Sequence, residues 1–485
     1  MRHWAMGIVL AACACGGDDA AGGTGGQGNA AGTGATSGAG GVGGSGAASA
    51  GGAGAGGAGA GGAGAGGVGG VGGSGGSGAA PSAEHCDPLP APSGSVVEVS
   101  PGGSIGSAIS SAAAGTTILL TDGTYDVSQS PIWIDKPGIT LRSKSGNRDA
   151  VVLDGKHQAN GTGGIISVRA SNVTIAHLTL LEARHHAVHV TGTSSGSVTG
   201  TRIHDVVVRD PGEQGIKINP DGNNYADNGE ISCSLIELTR PGAQFVQSQV
   251  SSGSSCYTGG VDAHGARDWV VRDNHIEGFW CEGSGGNYLS EHAIHFWTGS
   301  RDTRVERNVL VDNARAIGFG MTDSGRTYSD APCPNVSTAG HFGGLIANNF
   351  IVTKEPGLFA SGNGYDSGIS LWHACGANVL HNSLAATAAP SSAAIEWRFA
   401  KTSAVVANNL STHAFKPRDG ATASAENNVE NAAQSVFVSV AASDLHLVAG
   451  ASVAIGQGKD FTQLVPKDID GDPRSATPDI GADER

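Results

Sequence analysis

Trp269-Val-Val-Arg-Asp-Asn274-His-Ile276, Thr303-Arg-Val-Glu-Arg-Asn308-Val-Leu310 and Leu345-Ile-Ala-Asn-Asn349-Phe-Ile351 repeat one pattern along the chain. Each sets two short runs of apolar–polar alternation around a single polar position. Asn172 to Leu180 and Thr201 to Val208 precede them in the same pattern, and Asn378 to Leu384 and Val405 to Leu410 follow. The polar position reads His177, Asp205, Asn274, Asn308, Asn349, Asn382, Asn409. Period-2 alternation is a strand signal because successive side chains point to opposite faces. Its recurrence at coil length is a solenoid signal. An asparagine amide both donates and accepts, and asparagine tolerates left-handed backbone. The column therefore predicts a structural ladder at the tight turn between two strands of every coil, with no part in catalysis. The Leu-x-x-Leu-x-Leu signature of leucine-rich repeats is absent.

Outward from the repeats, both ends read as closures. Ser104 precedes Ile105, Ile109 and Ala112 at helical spacing, the strand Gly115-Thr-Thr-Ile-Leu-Leu120 follows, then Asp122-Gly-Thr-Tyr125. A solenoid must cover its open end. This order of helix, strand and turn resembles the N-terminal cap and first coil of the pectate-lyase-like superfamily. Asp468-Ile-Asp470-Gly-Asp472-Pro-Arg474, with Asp479-Ile-Gly-Ala-Asp483-Glu484, is similar to the terminal motif of many secreted β-helix proteins. Its carboxylates can hold calcium, but closing the last coil is the stronger reading. The fold class expected over 96–485 is all-β: a right-handed parallel β-helix with a short N-terminal cap helix.

The chain ahead of it is of another kind. Of the 80 glycines, 34 lie before residue 80, so 13–80 reads as a Gly/Ala/Ser-rich flexible tether and 81–95 as a stiffer junction. Residues 1–12 have the basic start and short apolar run of a signal peptide, too short to span a bilayer. Leu10-Ala-Ala-Cys13 resembles a bacterial lipobox. The resemblance implies cleavage before Cys13, acylation of its thiol, and an outer-membrane or cell-surface lipoprotein held by its lipid alone. Six further cysteines (Cys86, Cys233, Cys256, Cys281, Cys333 and Cys375) predict disulfides in an exported chain, with the pairing left open among fifteen. The formal charge of −15, from 28 basic and 43 acidic residues, argues against nucleic acid as a partner. An acidic polysaccharide is not excluded, because a local basic cluster or bound Ca²⁺ can offset net charge. A monomer is expected.

A third strand in each coil repeats small–apolar–variable–apolar, from Ala187-Val-His189-Val to Ala394-Ile-Glu396-Trp. Alternation turns the apolar side chains inward and stacks the variable ones about 4.8 Å apart. One outward column is then His189, Lys217, Asp262, His295, Gly318, Ser370, Glu396; a second is Thr191, Asn219, His264, Trp297, Gly320, Trp372, Arg398. His186, Gln214, His292 and Arg315 flank them, and excursions after Asn219, Glu277 and Met321 are expected to wall the sheet. In the superfamily that this chain resembles, the corresponding sheet forms a polysaccharide cleft used by lyases, glycosidases and esterases. The resemblance implies a polysaccharide lyase that cleaves a uronate-containing glycan by β-elimination. Lys217 is the expected base, Asp262 (with Ca²⁺ as a possible cofactor) and Arg315 manage the uronate carboxylate, and His189, His264 or His295 supplies the acid. Trp297, Trp372, His186, His292, Glu396 and Arg398 are the expected substrate contacts. At an exposed face a Lys217–Asp262 pair is worth less than about 1 kcal/mol. Two other functions fit the same sheet: a non-catalytic glycan-binding or envelope module, and a glycoside hydrolase. The adjacent aspartate pair expected of the polygalacturonase type is missing. Trp133-Ile-Asp135-Lys136 resembles a pectate lyase signature, but falls in the first coil and is read as chance.

Overall fold

The computed structural model describes residues 86–158, 164–249, 256–282, 289–360, 364–390 and 392–485. The signal segment, the lipidation residue Cys13, the 13–80 tether and the start of the junction lie outside them.

Three long parallel sheets wrap into a right-handed parallel β-helix. Sheet A takes the first strand of each coil, such as Thr174–Ala176, Val270–Arg272 and Arg304–Glu306; sheet B takes the second, such as Thr179–Leu181, His275–Glu277 and Val309–Val311. Sheet C takes the third, from Ile132–Ile134 to Lys416–Pro417, with ten strands among the described residues. Parallel strands joined through successive coils bury apolar residues on one face only, and every sheet supplies a stack to the shared core. Ile175, Ile203, Ile231, Val271 and Val305 come from sheet A; Leu180, Val208, Ile236, Ile276 and Leu310 from sheet B; Val188, Ile216, Val261, Ile294 and Ile317 from sheet C; all are fully buried or nearly so. At the N-terminal end the helix Ile105–Ser111 packs Ile105 and Ile109 over the first coil, and the Ser104 side chain accepts from the Ser107 N–H at 3.1 Å.

The ladder is real, but its register differs from the sequence reading. The Asn274 Nδ2 donates to Asn308 Oδ1 at 3.0 Å, and the same bond recurs from Asn308 to Asn349, Asn349 to Asn382, Asn382 to Asn409 and Asn409 to Asn428. Each amide also donates to a backbone carbonyl of the preceding coil. None of these asparagines has a positive φ. The left-handed residue is the one before: Asp273, Arg307, Asn348, His381 and Asn408. His177 and Asp205 belong to that left-handed column, at φ 54° and 49°. Asp205 is therefore not a ladder residue; it pairs with His177 Nδ1 at 2.7 Å and Arg148 at 3.1 Å. Ser234 and Asn428, unmarked in the sequence reading, extend the ladder at its two ends.

All six later cysteines pair, as Cys86–Cys233, Cys256–Cys281 and Cys333–Cys375. The terminal motif closes the solenoid. Asp468, fully buried, accepts from the N–H groups of Asp470, Asp472 and Glu484, while buried Arg474 donates to Asn348, Gly481, Ala482 and Glu484.

Candidate functional site

Sheet C aligns the outward residues rung by rung. Trp133 pairs with Ser167, Ser167 with His189, His189 with Lys217, Lys217 with Asp262, Asp262 with His295, His295 with Gly318, Gly318 with Ser370 and Ser370 with Glu396. No coil intervenes between Lys217 and Asp262, although a long excursion separates them in sequence: it leaves after sheet B, forms the helix Arg240–Gln249 and returns through Cys256. That excursion, absent from the sequence reading, adds to the three expected ones.

Burial corrects the picture of an open face. Lys217, Asp262 and His295 are 5 %, 2 % and 0 % exposed. They face out of the core but are packed among neighbouring side chains, His264, Trp297 and His292 among them. The Lys217 Nζ donates to Asp262 Oδ2 and lies 3.1 Å from His264 Nε2, itself 3.2 Å from the same oxygen. The Trp297 indole N–H donates to Asp262 Oδ1 at 2.8 Å. Trp297 lies parallel to the His295 ring at 5.3 Å between centroids and 4.4 Å from that of His264. Burial disfavours the Lys217 charge, but the Asp262 carboxylate outweighs it and the ammonium is raised above its ordinary range. Burial likewise opposes the Asp262 charge, yet Lys217 and then His264 hold its carboxyl well below the usual range. The pair is a buried ion pair and not a solvated surface contact, and its lysine carries a proton.

His264 is the accessible member, its side chain 23 % exposed against 7 % for Lys217 and 4 % for Asp262. A single ring nitrogen cannot accept from the ammonium and donate to the carboxylate at once, so the position of one proton selects between those two bonds. Tyr257, exposed and just past Cys256, is close enough for Lys217 and Asp262 to act on its phenol by charge. It escaped sequence reading because it sits on an excursion, where alternation gives no direction.

Toward the N-terminal end the same column opens into a cleft of about 380 Å³ lined by Trp133, Ser167, Arg169, His189, Asn219 and Asp221 among others. The Arg169 guanidinium lies 5.2 Å from the Trp133 ring centroid. Sequence reading set Trp133 aside and never considered Arg169; position in the cleft is a tertiary property. His189, partly exposed there, is held neutral down to about 4, by burial first and by the Lys217 charge second.

Other expected site residues are engaged elsewhere. Arg315 Nε donates to Asp366 Oδ2 at 2.7 Å and its guanidinium lies over Trp372, away from the Lys217 cluster. Trp372, buried, donates to Glu396, which also takes Arg418. Arg398 pairs with Asp419. His186 Nδ1 hydrogen bonds with the Gln214 carbonyl at 3.1 Å. Burial of His186, His292, Trp372 and Glu396 removes them from direct substrate contact and leaves Trp297, partly exposed, as the accessible aromatic of the expected contacts.

No family model matches the chain, and no curated protein matches it. Solved structures do. An alginate lyase from Paenibacillus sp. str. FPU-7 superposes with TM-score 0.47 and 15 % identity over 67 % of this chain and 98 % of that one. Pectate lyase Pel9A gives 0.48 and 15 % over 81 % and 96 %. A polygalacturonase from Erwinia carotovora ssp. carotovora gives 0.40 and 8 % over 71 % and 96 %. The likeness is one of fold, the parallel β-helix.

Proposed function

We propose that this β-helix acts on an extracellular polysaccharide along sheet C, as a lyase that cleaves a uronate-containing glycan by β-elimination. The observation that carries this reading is the single outward column, which runs from the Trp133–Arg169–His189 cleft straight into the Lys217–Asp262–His264 cluster. An indole offers a sugar ring an apolar face at little entropic cost, and the Arg169 guanidinium suits a uronate carboxylate. At the cluster, His264 takes the proton α to the carboxyl group, the electron pair forms the C=C bond, and the β C–O bond breaks toward an oxygen that takes its proton from water. Lys217, as buried as the residues removed from substrate contact, is assigned to holding the Asp262 carboxylate ionised and not to proton abstraction, because its partner keeps it an ammonium. Asp262 orients both. The three disulfides fit an oxidising compartment, and among the described residues no helix is long and apolar enough to cross a membrane. A surface lipoprotein anchored at Cys13 is part of the same proposal.

The test is a panel of acidic polysaccharides incubated with the full chain, following ultraviolet absorbance from new C=C bonds, with and without chelator. Unsaturated ends that disappear in His264→Gln, with at least a hundredfold loss of rate, support the reading. Reducing ends without unsaturation would make the protein a hydrolase, and binding without products would make it a glycan-binding module.

A further inference from the structure

One rung beyond Asp262, a group of side chains is not used by the proposed elimination. Glu291, His292 and His295 each offer one ligand atom, and these atoms lie within 4.8 Å of one another. His292 is fully buried, and both of its ring nitrogens have no hydrogen-bond partner among the described residues. The buried Glu291 Oε2 and His295 Nδ1 have none either, lying 3.5 Å apart. Buried polar atoms are almost always paired with protein, water or an ion, so three such atoms converging on one point need a common partner.

The tautomer of His295 is fixed by its other nitrogen. Nε2 faces the Gly320 carbonyl at 3.2 Å, and since a carbonyl only accepts, Nε2 carries the hydrogen and Nδ1 presents its lone pair to Glu291. Metal-ligating histidines are held in this manner, the second N–H donating to a carbonyl or carboxylate. Room for the His292 ring comes from Gly318. A Cβ there would stand 2.7 Å from the ring, so the glycine in the outward column lets the imidazole lean over the His295 rung, 4.5 Å between centroids.

We infer that Glu291, His292 and His295 form a binding site for one divalent transition-metal ion of the zinc or cobalt kind. Two imidazoles and a carboxylate suit such ions, whereas calcium and magnesium prefer oxygen alone. Bonds of about 2.0–2.2 Å put tetrahedral ligand atoms about 3.4 Å apart, so the group, now within 4.8 Å, draws together on binding. Asp262 Oδ1 lies 3.7 Å from His295 Nδ1, which places the ion at the edge of the Lys217 cluster with a further oxygen beside it. The other group of this type among the described residues, His446 with Asp470 and Asp483, differs in that both His446 nitrogens already bond to carboxylates, at 2.6 and 2.9 Å.

The test is titration of the chelator-stripped full chain with Co²⁺, read by its visible d–d absorption, and with Zn²⁺ by calorimetry. One equivalent should bind per chain, and Glu291→Gln and His292→Gln should each weaken it by at least tenfold. Glu291 is a quarter exposed, so its variant is expected to keep the fold even if the His292 variant unfolds, and thermal unfolding of both checks this. Absence of Co²⁺ binding up to millimolar concentration would overturn the inference. So would binding that survives Glu291→Gln but is lost in Asp470→Asn. The readout is independent of any polysaccharide, so failure of the lyase reading leaves it standing.

Discussion

At the scale of single residues, the Lys217–Asp262 pair decides most. Sequence alternation places the two on adjacent rungs, and an exposed pair there would count for little. Both are in fact desolvated, and removing one partner of a buried pair leaves a charge without compensation, at a cost of about 3–5 kcal/mol. Lys217→Met should fall near 3 kcal/mol, because the Trp297 indole N–H and His264 still face Asp262. The double variant Lys217→Met/Asp262→Leu should recover most of that loss, since apolar replacements of buried pairs are often neutral. Urea unfolding of the three variants checks both statements, and a single-variant loss below about 1 kcal/mol would return the pair to the surface. Direction of facing was legible here; depth was not. Period-2 alternation says which side of a strand a residue takes, whereas what lies on top of it is set by side chains that meet only in the folded coil.

At the scale of elements, the turn between sheets A and B shows how a correct reading of residue type can miss a register by one. Asparagine was expected to occupy the left-handed position because it tolerates that backbone. In the structure Asp, Arg, Asn and His take it, and asparagine follows in ordinary backbone with its amide directed along the stack. The one-residue offset matters energetically. Asn349→Ala removes the Oδ1 that accepts from both Asn308 Nδ2 and the Asn308 N–H, and the Nδ2 that reaches Val305 O and Asn382 Oδ1. Each buried group left unpaired costs about 1–3 kcal/mol, so the loss should exceed about 2 kcal/mol. Asn428→Ala, at the half-buried last rung, should lose less because water replaces the missing acceptor. Thermal melts of the two variants give the comparison, and equal shifts would contradict it. His177→Ala, once counted in the ladder, should leave the stack from Asn274 onward intact.

At the scale of the whole molecule, the many buried neutral histidines predict acid lability. Burial depresses His186, His341 and His381 to about 3 and His189 and His413 to about 4, from an ordinary value of 6.5. Each stays unprotonated in the fold where the unfolded chain has already taken a proton. The unfolded state therefore binds more protons between about pH 6.5 and pH 3–4, and stability falls as pH drops through that window. Melting temperatures measured from pH 7 to 4 should decline steadily; a flat profile would show that these histidines protonate in place without unfolding the coil. What the sequence determined by itself is whatever repeats: the parallel coils, the cap helix, the outward column and its register, all set by period and alternation that are properties of neighbouring residues. The tertiary structure alone decided the partners of the cysteines, the burial of Lys217 and His295, the cleft at Trp133 and Arg169, and the meeting of Glu291 with His292 and His295. Those depend on where the excursions between strands return, and an excursion carries no periodicity from which its path can be read.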